Sequence, residues 1–228
     1  NIIYDVDRGE KATINKIKFI GDKKFKDRKL HSIITSEENK FWKFISKGKY
    51  LNIDRVELDK RLLKNFYLNK GYYNVEITDA YSSIIDKENF ILTFNINAGE
   101  KFNFGKFKLV LPEDFDRKKF SKLDKLLNNL ENTKYNKKQI ENILDEIDQI
   151  ALLENYEFIN AQVLETIDEN NVNFEFQVIE TENVYLSKID IFGNHITSEK
   201  FIRNNLLVDE GDPLNELINN KSLNNLRA

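Results

Sequence analysis

FILTFNINAGEKFNFGKFKL, residues 90–109, carries two alternating apolar runs on either side of a Gly-Glu pair. Phe90, Leu92, Phe94 and Ile96 recur every second residue, the period of a strand with one buried face. Gly99 and Glu100 interrupt the run, and Phe104, Phe107 and Leu109 resume it. The same succession occurs twice more. Upstream it reads Ile3, Asp5, Gly9, Glu10, then Ile14, Ile17, Phe19 and Gly21. Downstream it reads Phe174, Phe176, Val178, Glu180, then Val184, Leu186, Ile189, Ile191 and Gly193. Aligning Ile17, Phe107 and Ile189 spaces the copies by 90 and 82 residues (107−17 and 189−107). That period suits small domains joined end to end.

Two helical patterns and a hairpin fill each interval. Between Phe25 and Thr35, Leu30, Ile33 and Ile34 share a face. A second helix starts after Asn52, an N-cap type, and carries Leu58, Leu62 and Phe66. Gly71 ends it. In the next copy Phe120, Leu123, Leu127 and Leu130 form one stripe. Ile140, Ile143, Leu144, Ile147 and Ala151, after Asn136, form another, with Asn155 in the place of Gly71. Hairpins follow: Val75 and Ile77 return through Asp86–Asn89 to Phe90–Ile96, and 157–167 return through Asp168–Asn171 to 172–179. The fold class is therefore α+β. Each unit is β-α-α-β-β, a three-stranded mixed sheet with two antiparallel helices on one face. The expected division is 1–10, the last strand of a preceding unit; 11–98; 99–181; and 182–228, the start of a further unit. The chain lacks Met, and the units at its two ends read as incomplete, so a longer parent extending both ways is expected.

Composition removes several function classes. The 35 basic and 38 acidic residues are interleaved, for a net charge of −3, with no basic stripe to neutralise phosphates. Nucleic acid is not an expected partner. With no Cys there is no disulfide, thiol nucleophile or thiolate-bound metal. The two histidines, His31 and His195, stand apart, and no nucleophile-elbow pattern occurs. No catalytic, cofactor-binding or metal-binding residue is expected, and no cofactor. Asp114, Asp116 and the acids from Asp145 to Asp148 read as helix-end charges and solvated faces. No apolar run reaches the roughly 20 residues of a membrane-spanning helix.

The ordered repetition resembles POTRA domains, and its register resembles the third to fifth POTRA domains of the BamA-type outer-membrane assembly family. Ile189-Asp190-Ile191-Phe192-Gly193-Asn194 is similar to the family's first-strand signature. Asn69-Lys70-Gly71-Tyr72 is similar to its second helix ending. The aromatic stretch Phe41, Trp42, Phe44 and Ile45 before Tyr50 resembles the insert of the third domain, and Asn183–Ile189 the entry to the fifth. Two departures are Leu109-Val110-Leu111-Pro112 in place of a strand ending in Gly-Asn, and Glu180-Thr181-Glu182 in place of Gly-Glu. The resemblance implies a non-enzymatic scaffold on the periplasmic face of the bacterial outer membrane, attached to a barrel outside this stretch. It implies accessory assembly lipoproteins and unfolded outer-membrane β-barrel proteins as partners. Alternatives are the POTRA arm of a TamA-like or two-partner secretion protein, for which too many units are present, and an unrelated repeat spacer.

Three sets of residues are candidates for function. The stretch Tyr72–Tyr81, with Tyr73, Val75, Ile77 and Asp79, reads as a sheet edge able to take a guest strand through backbone hydrogen bonds. The expected alternation sets Tyr73, Val75 and Ile77 on one face and Tyr72, Asn74, Glu76 and Thr78 on the other, with Glu76 and Asp79 limiting edge-to-edge aggregation. Phe41, Trp42, Phe44 and Ile45 are a contact loop for a partner or a local hydrophobic plug. Gly9, Glu10, Gly99, Glu100, Glu180 and Glu182 mark interdomain junctions.

Overall fold

The computed structural model describes residues 13–39, 47–85, 89–154, 156, 159–180, 184–194, 197–213 and 216–227. The chain forms two compact units, Asn1–Asn103 with Lys134–Lys137, and Phe104–Thr133 with Lys138–Ala228.

In the first unit β1 (Thr13–Asp22) leads through α1 (Asp27–His31) and α2 (Ile53–Leu68) to a hairpin of β2 (Glu76–Ile84) and β3 (Asn89–Asn97). The sheet order is β1-β3-β2, with β3 parallel to β1 and antiparallel to β2. The pattern Ile14, Ile17, Phe19 is not a strict period of two. A register slip between Ile14 and Lys16 leaves Asn15 as a bulge, which returns all three side chains to the buried face. They pack with Leu92, Phe94 and Ile96 of β3 and with Leu30, Val56, Leu63 and Tyr67 of the helices. Gly21 has φ +83°, and a Cβ there would lie 2.4 Å from the Ile96 carbonyl oxygen.

The helix expected over Phe25–Thr35 is a single short segment. The carboxylate of Asp59, fully buried on α2, accepts from the amides of Thr35 and Ser36 at 2.6 and 3.1 Å. Amides held by a side chain are unavailable to a helical ladder, and the β-branched pair Ile33-Ile34 favours continuation least. The second helix begins as read: Asn52 accepts from the Arg55 amide at 2.8 Å. Gly71 takes φ +94° just beyond its end.

In the second unit the elements are β4 (Asn103–Val110), a 3₁₀ turn (Arg117–Phe120), α3 (Ser121–Leu130), α4 (Lys137–Leu153), β5 (Ile159–Asp168) and β6 (Asn171–Glu180), with sheet order β4-β6-β5. Phe104 and Phe107, three residues apart, both meet Phe174, at 5.8 and 5.7 Å between ring centroids. The step is accommodated at Gly105, where the Asn173 side chain accepts from the Lys106 amide at 2.7 Å. Asp116 caps the 3₁₀ turn through the Lys118 amide. Asp148 departs from the expected solvated face: it is buried on the core side of α4. Asn155 lies outside the described residues.

Residues 184–194 belong to the second unit and lead to α5 (Glu199–Asn205) and α6 (Glu216–Arg227). The strand expected here is an extended segment with one bridge, Tyr185 to Pro213. Among the described residues no central strand pairs with it, as β3 pairs with β1 and β6 with β4.

Candidate strand-docking edge

Each three-stranded sheet has two outer strands, and the chain treats them differently. On β1 the outward backbone groups of Ile14 and Ile17 are taken by the loop after α1. The Ile17 amide donates to the Glu38 carboxylate at 3.1 Å, and the Ile14 carbonyl accepts from Asn39 at 2.7 Å. Thr13 bridges to Tyr50. On β4 the Phe107 amide donates to Glu131 at 3.2 Å, the Phe104 carbonyl accepts from Asn132 at 2.9 Å, and Asn103 bridges to Lys134. In the third copy the Ile189 amide donates to Glu210 at 3.0 Å, the Leu186 carbonyl accepts from Gly211 at 2.6 Å, and Tyr185 bridges to Pro213. One glutamate per copy thus latches the outer side of the first strand, at the three positions whose apolar side chains set the repeat.

The other outer strands carry no such latch among the described residues. The hydrogen-bonded neighbour of β2 is β3 alone, and that of β5 is β6 alone. An unpaired edge offers a row of amides and carbonyls to an extended guest. Beside β2 lies a cleft of about 410 Å³, lined by Glu57, Lys60, Arg61 and Lys64 of α2 and by Glu76, Ile77 and Thr78 of β2. A second bulge sits there: the register slips between Ile77 and Asp79, and the Thr78 hydroxyl accepts from the Asn95 side chain at 3.2 Å. Bulges on outer strands twist the edge and limit indiscriminate pairing.

The expected edge residues separate. Ile77 and Asp79 lie in β2, opposite Ile96 and Asn95. Tyr73 and Val75 precede the strand and do not share its alternation. Tyr72 and Val75 are both buried, and the Tyr73 ring stands against Phe102 and Tyr135 of the same unit, 5.5 and 5.0 Å between centroids. The turn through Asn74, between them, breaks the period that sequence alternation implied. Of the junction residues, Gly99 takes φ +67°, Glu100 stands 3.9 Å from Lys24, and Glu180 ends β6. Gly9, Glu10 and Glu182, and the contact loop of Phe41, Trp42, Phe44 and Ile45, lie outside the described residues. His31 packs edge-on against Phe19 at 5.1 Å, a core contact. Among the described residues no group of His, Asp or Glu is arranged to hold a metal, and no helix is long and apolar enough to cross a membrane.

The family model for POTRA, the surface antigen variable number repeat, matches residues 12–99. Residues 12–99 thus match a POTRA domain. Residues 103–180 follow the same plan of strand, two helices and hairpin. The crystal structure of POTRA domains 3–5 of BamA from Haemophilus influenzae superposes with a TM-score of 0.64 at 18% identity, covering 97% of this chain and 87% of that one. The α+β fold, as read from the sequence, matches that of tandem POTRA domains. The outer membrane protein assembly factor BamA of Neisseria meningitidis serogroup B is 26% identical over 216 residues, 93% of this chain and 27% of that protein. BamA of Buchnera aphidicola is also 26% identical over 216 residues, 92% of this chain and 34% of that protein. The chain therefore resembles the POTRA arm of BamA, and it spans between a quarter and about a third of the length of these two relatives. Sequence reading missed the glutamate latch. Its one available signal was a Glu followed by Asn or Gly ahead of the second helix.

Proposed function

We propose that this chain is part of the periplasmic arm of an outer-membrane β-barrel assembly scaffold, attached to a barrel outside the stretch described, and that β2 receives extended segments of unfolded outer-membrane proteins. The observation that carries the reading is the asymmetry of the edges: β1 is latched by Glu38 and β2 has no partner on its outer side among the described residues. Backbone pairing is largely independent of guest sequence, which suits a scaffold handling many clients. The POTRA match and the BamA relatives support the setting. Accessory assembly lipoproteins are the second class of partner, and the scaffold performs no chemistry of its own. The threefold latch supports the division at 11–98, 99–181 and 182–228. Titrating the labelled 228-residue chain with a peptide from an outer-membrane β-strand tests the reading. Amide shifts confined to Glu76–Ile84 are expected; shifts confined to the latched strand β1 would exclude it.

A further inference from the structure

We infer that the cleft beside β2 selects guest strands that carry an acidic side chain, a specificity that rests on the strand-addition reading above. The charges lining the cleft are unequal once their own pairing is counted. Lys60 bonds Glu57 on its own helix at 3.1 Å. The side chains of Arg61 and Lys64, one turn apart and exposed on α2, have neither an ion pair nor a hydrogen bond among the described residues. Glu76 is the remaining anion. The cleft thus holds an excess of positive charge on a chain whose net charge is −3.

A guest paired to β2 would run about 4.8 Å outside it, with alternate side chains turned toward the helix layer. Those side chains enter the cleft that Arg61 and Lys64 line. Both are long, with apolar stems that can lie along a guest strand while the charged ends reach a carboxylate. The Arg61 guanidinium can meet it with two parallel N–H bonds. The occupant is therefore an extended segment with Asp or Glu on its helix-facing side, opposite Arg61 and Lys64.

The test uses the full chain and three capped peptides of alternating Val and Thr, as long as β2 at 9 residues, with Glu, Gln or Lys at the central position. All three are expected to shift the β2 amides. The Glu peptide should bind about three- to tenfold more tightly than the Gln peptide at low salt, and the Lys peptide most weakly, as one or two solvent-facing ion pairs allow. The preference should collapse in Arg61→Gln/Lys64→Gln and at high ionic strength. Both changes are at exposed sites, and the β2 amide spectrum shows whether the fold is kept. Equal affinity of the three peptides at β2 would overturn the charge selection and leave strand addition standing. So would a Gln peptide with an uncapped C-terminus that matches the capped Glu peptide, since the chain end would then be the ligand. Absence of β2 shifts with any peptide would overturn strand addition, and the charge selection with it.

Discussion

Thr35 donates both its backbone N–H and its hydroxyl to one oxygen of Asp59, at 2.6 and 2.7 Å. With Ser36 on the other oxygen, one buried carboxylate ends the first helix of the unit and fixes the start of the loop that reaches Glu38. Asp59→Ala should cost about 2 kcal/mol, because it leaves the amide of buried Ser36 without an acceptor and removes the two bonds that hold Thr35. Hydrogen exchange should show the loss in β1 and β3, with protection in β5 and β6 unchanged.

The latch predicts a smaller, local effect. Glu131→Ala frees the Phe107 amide and should speed its exchange about fivefold, as loss of about 1 kcal/mol implies. Glu131→Gln keeps an acceptor oxygen and should restore most of the protection.

Much of the architecture was legible because the strand period recurs in three copies and the Gly-Glu pair in two of them, so errors in one copy are corrected by the others. The exceptions share a cause. Bulges at Asn15 and Thr78, and the Asn173 side chain at Gly105, break the two-residue period locally. The latch glutamates are separated from the amides they bond by 21, 24 and 21 residues. A contact set by a loop of varying length leaves no fixed spacing, and among 38 acidic residues a single Glu does not stand out. β2 is an outer strand, but Tyr73 and Val75 fall before it, because nothing in the alternation of Tyr73, Val75 and Ile77 marks the turn that buries Val75.

Tyr67 supplies a prediction in pH. Its ring is buried, and its hydroxyl donates to the Lys23 carbonyl. Burial holds its ionisation well above the ordinary range, with Tyr72 and Asp22 adding to the shift. A folded-state pKa above the unfolded value gives stability that is complete below the unfolded pKa, about 10, and lost as pH rises beyond it. Urea midpoints of the first unit should therefore fall above about pH 10, and Tyr67→Phe should flatten that decline.

Gly21→Ala should destabilise the first unit by about 2–3 kcal/mol. It combines a side chain at φ +83° with a Cβ 2.4 Å from the Ile96 carbonyl oxygen. Gly99→Ala, also at positive φ but with open space around it, should cost only about 1 kcal/mol. Thermal melts of the two variants should rank them in that order.

The one-sided latch also has a consequence for assembly. A sheet with two open edges is a bifunctional monomer: each strand it accepts leaves another edge exposed, and growth continues without limit. Closing β1 with Glu38 and β4 with Glu131 makes each sheet monofunctional. On the strand-addition proposal, a guest added to β2 or β5 would meet a latched strand on the far side, so the module would terminate a growing sheet and not seed one.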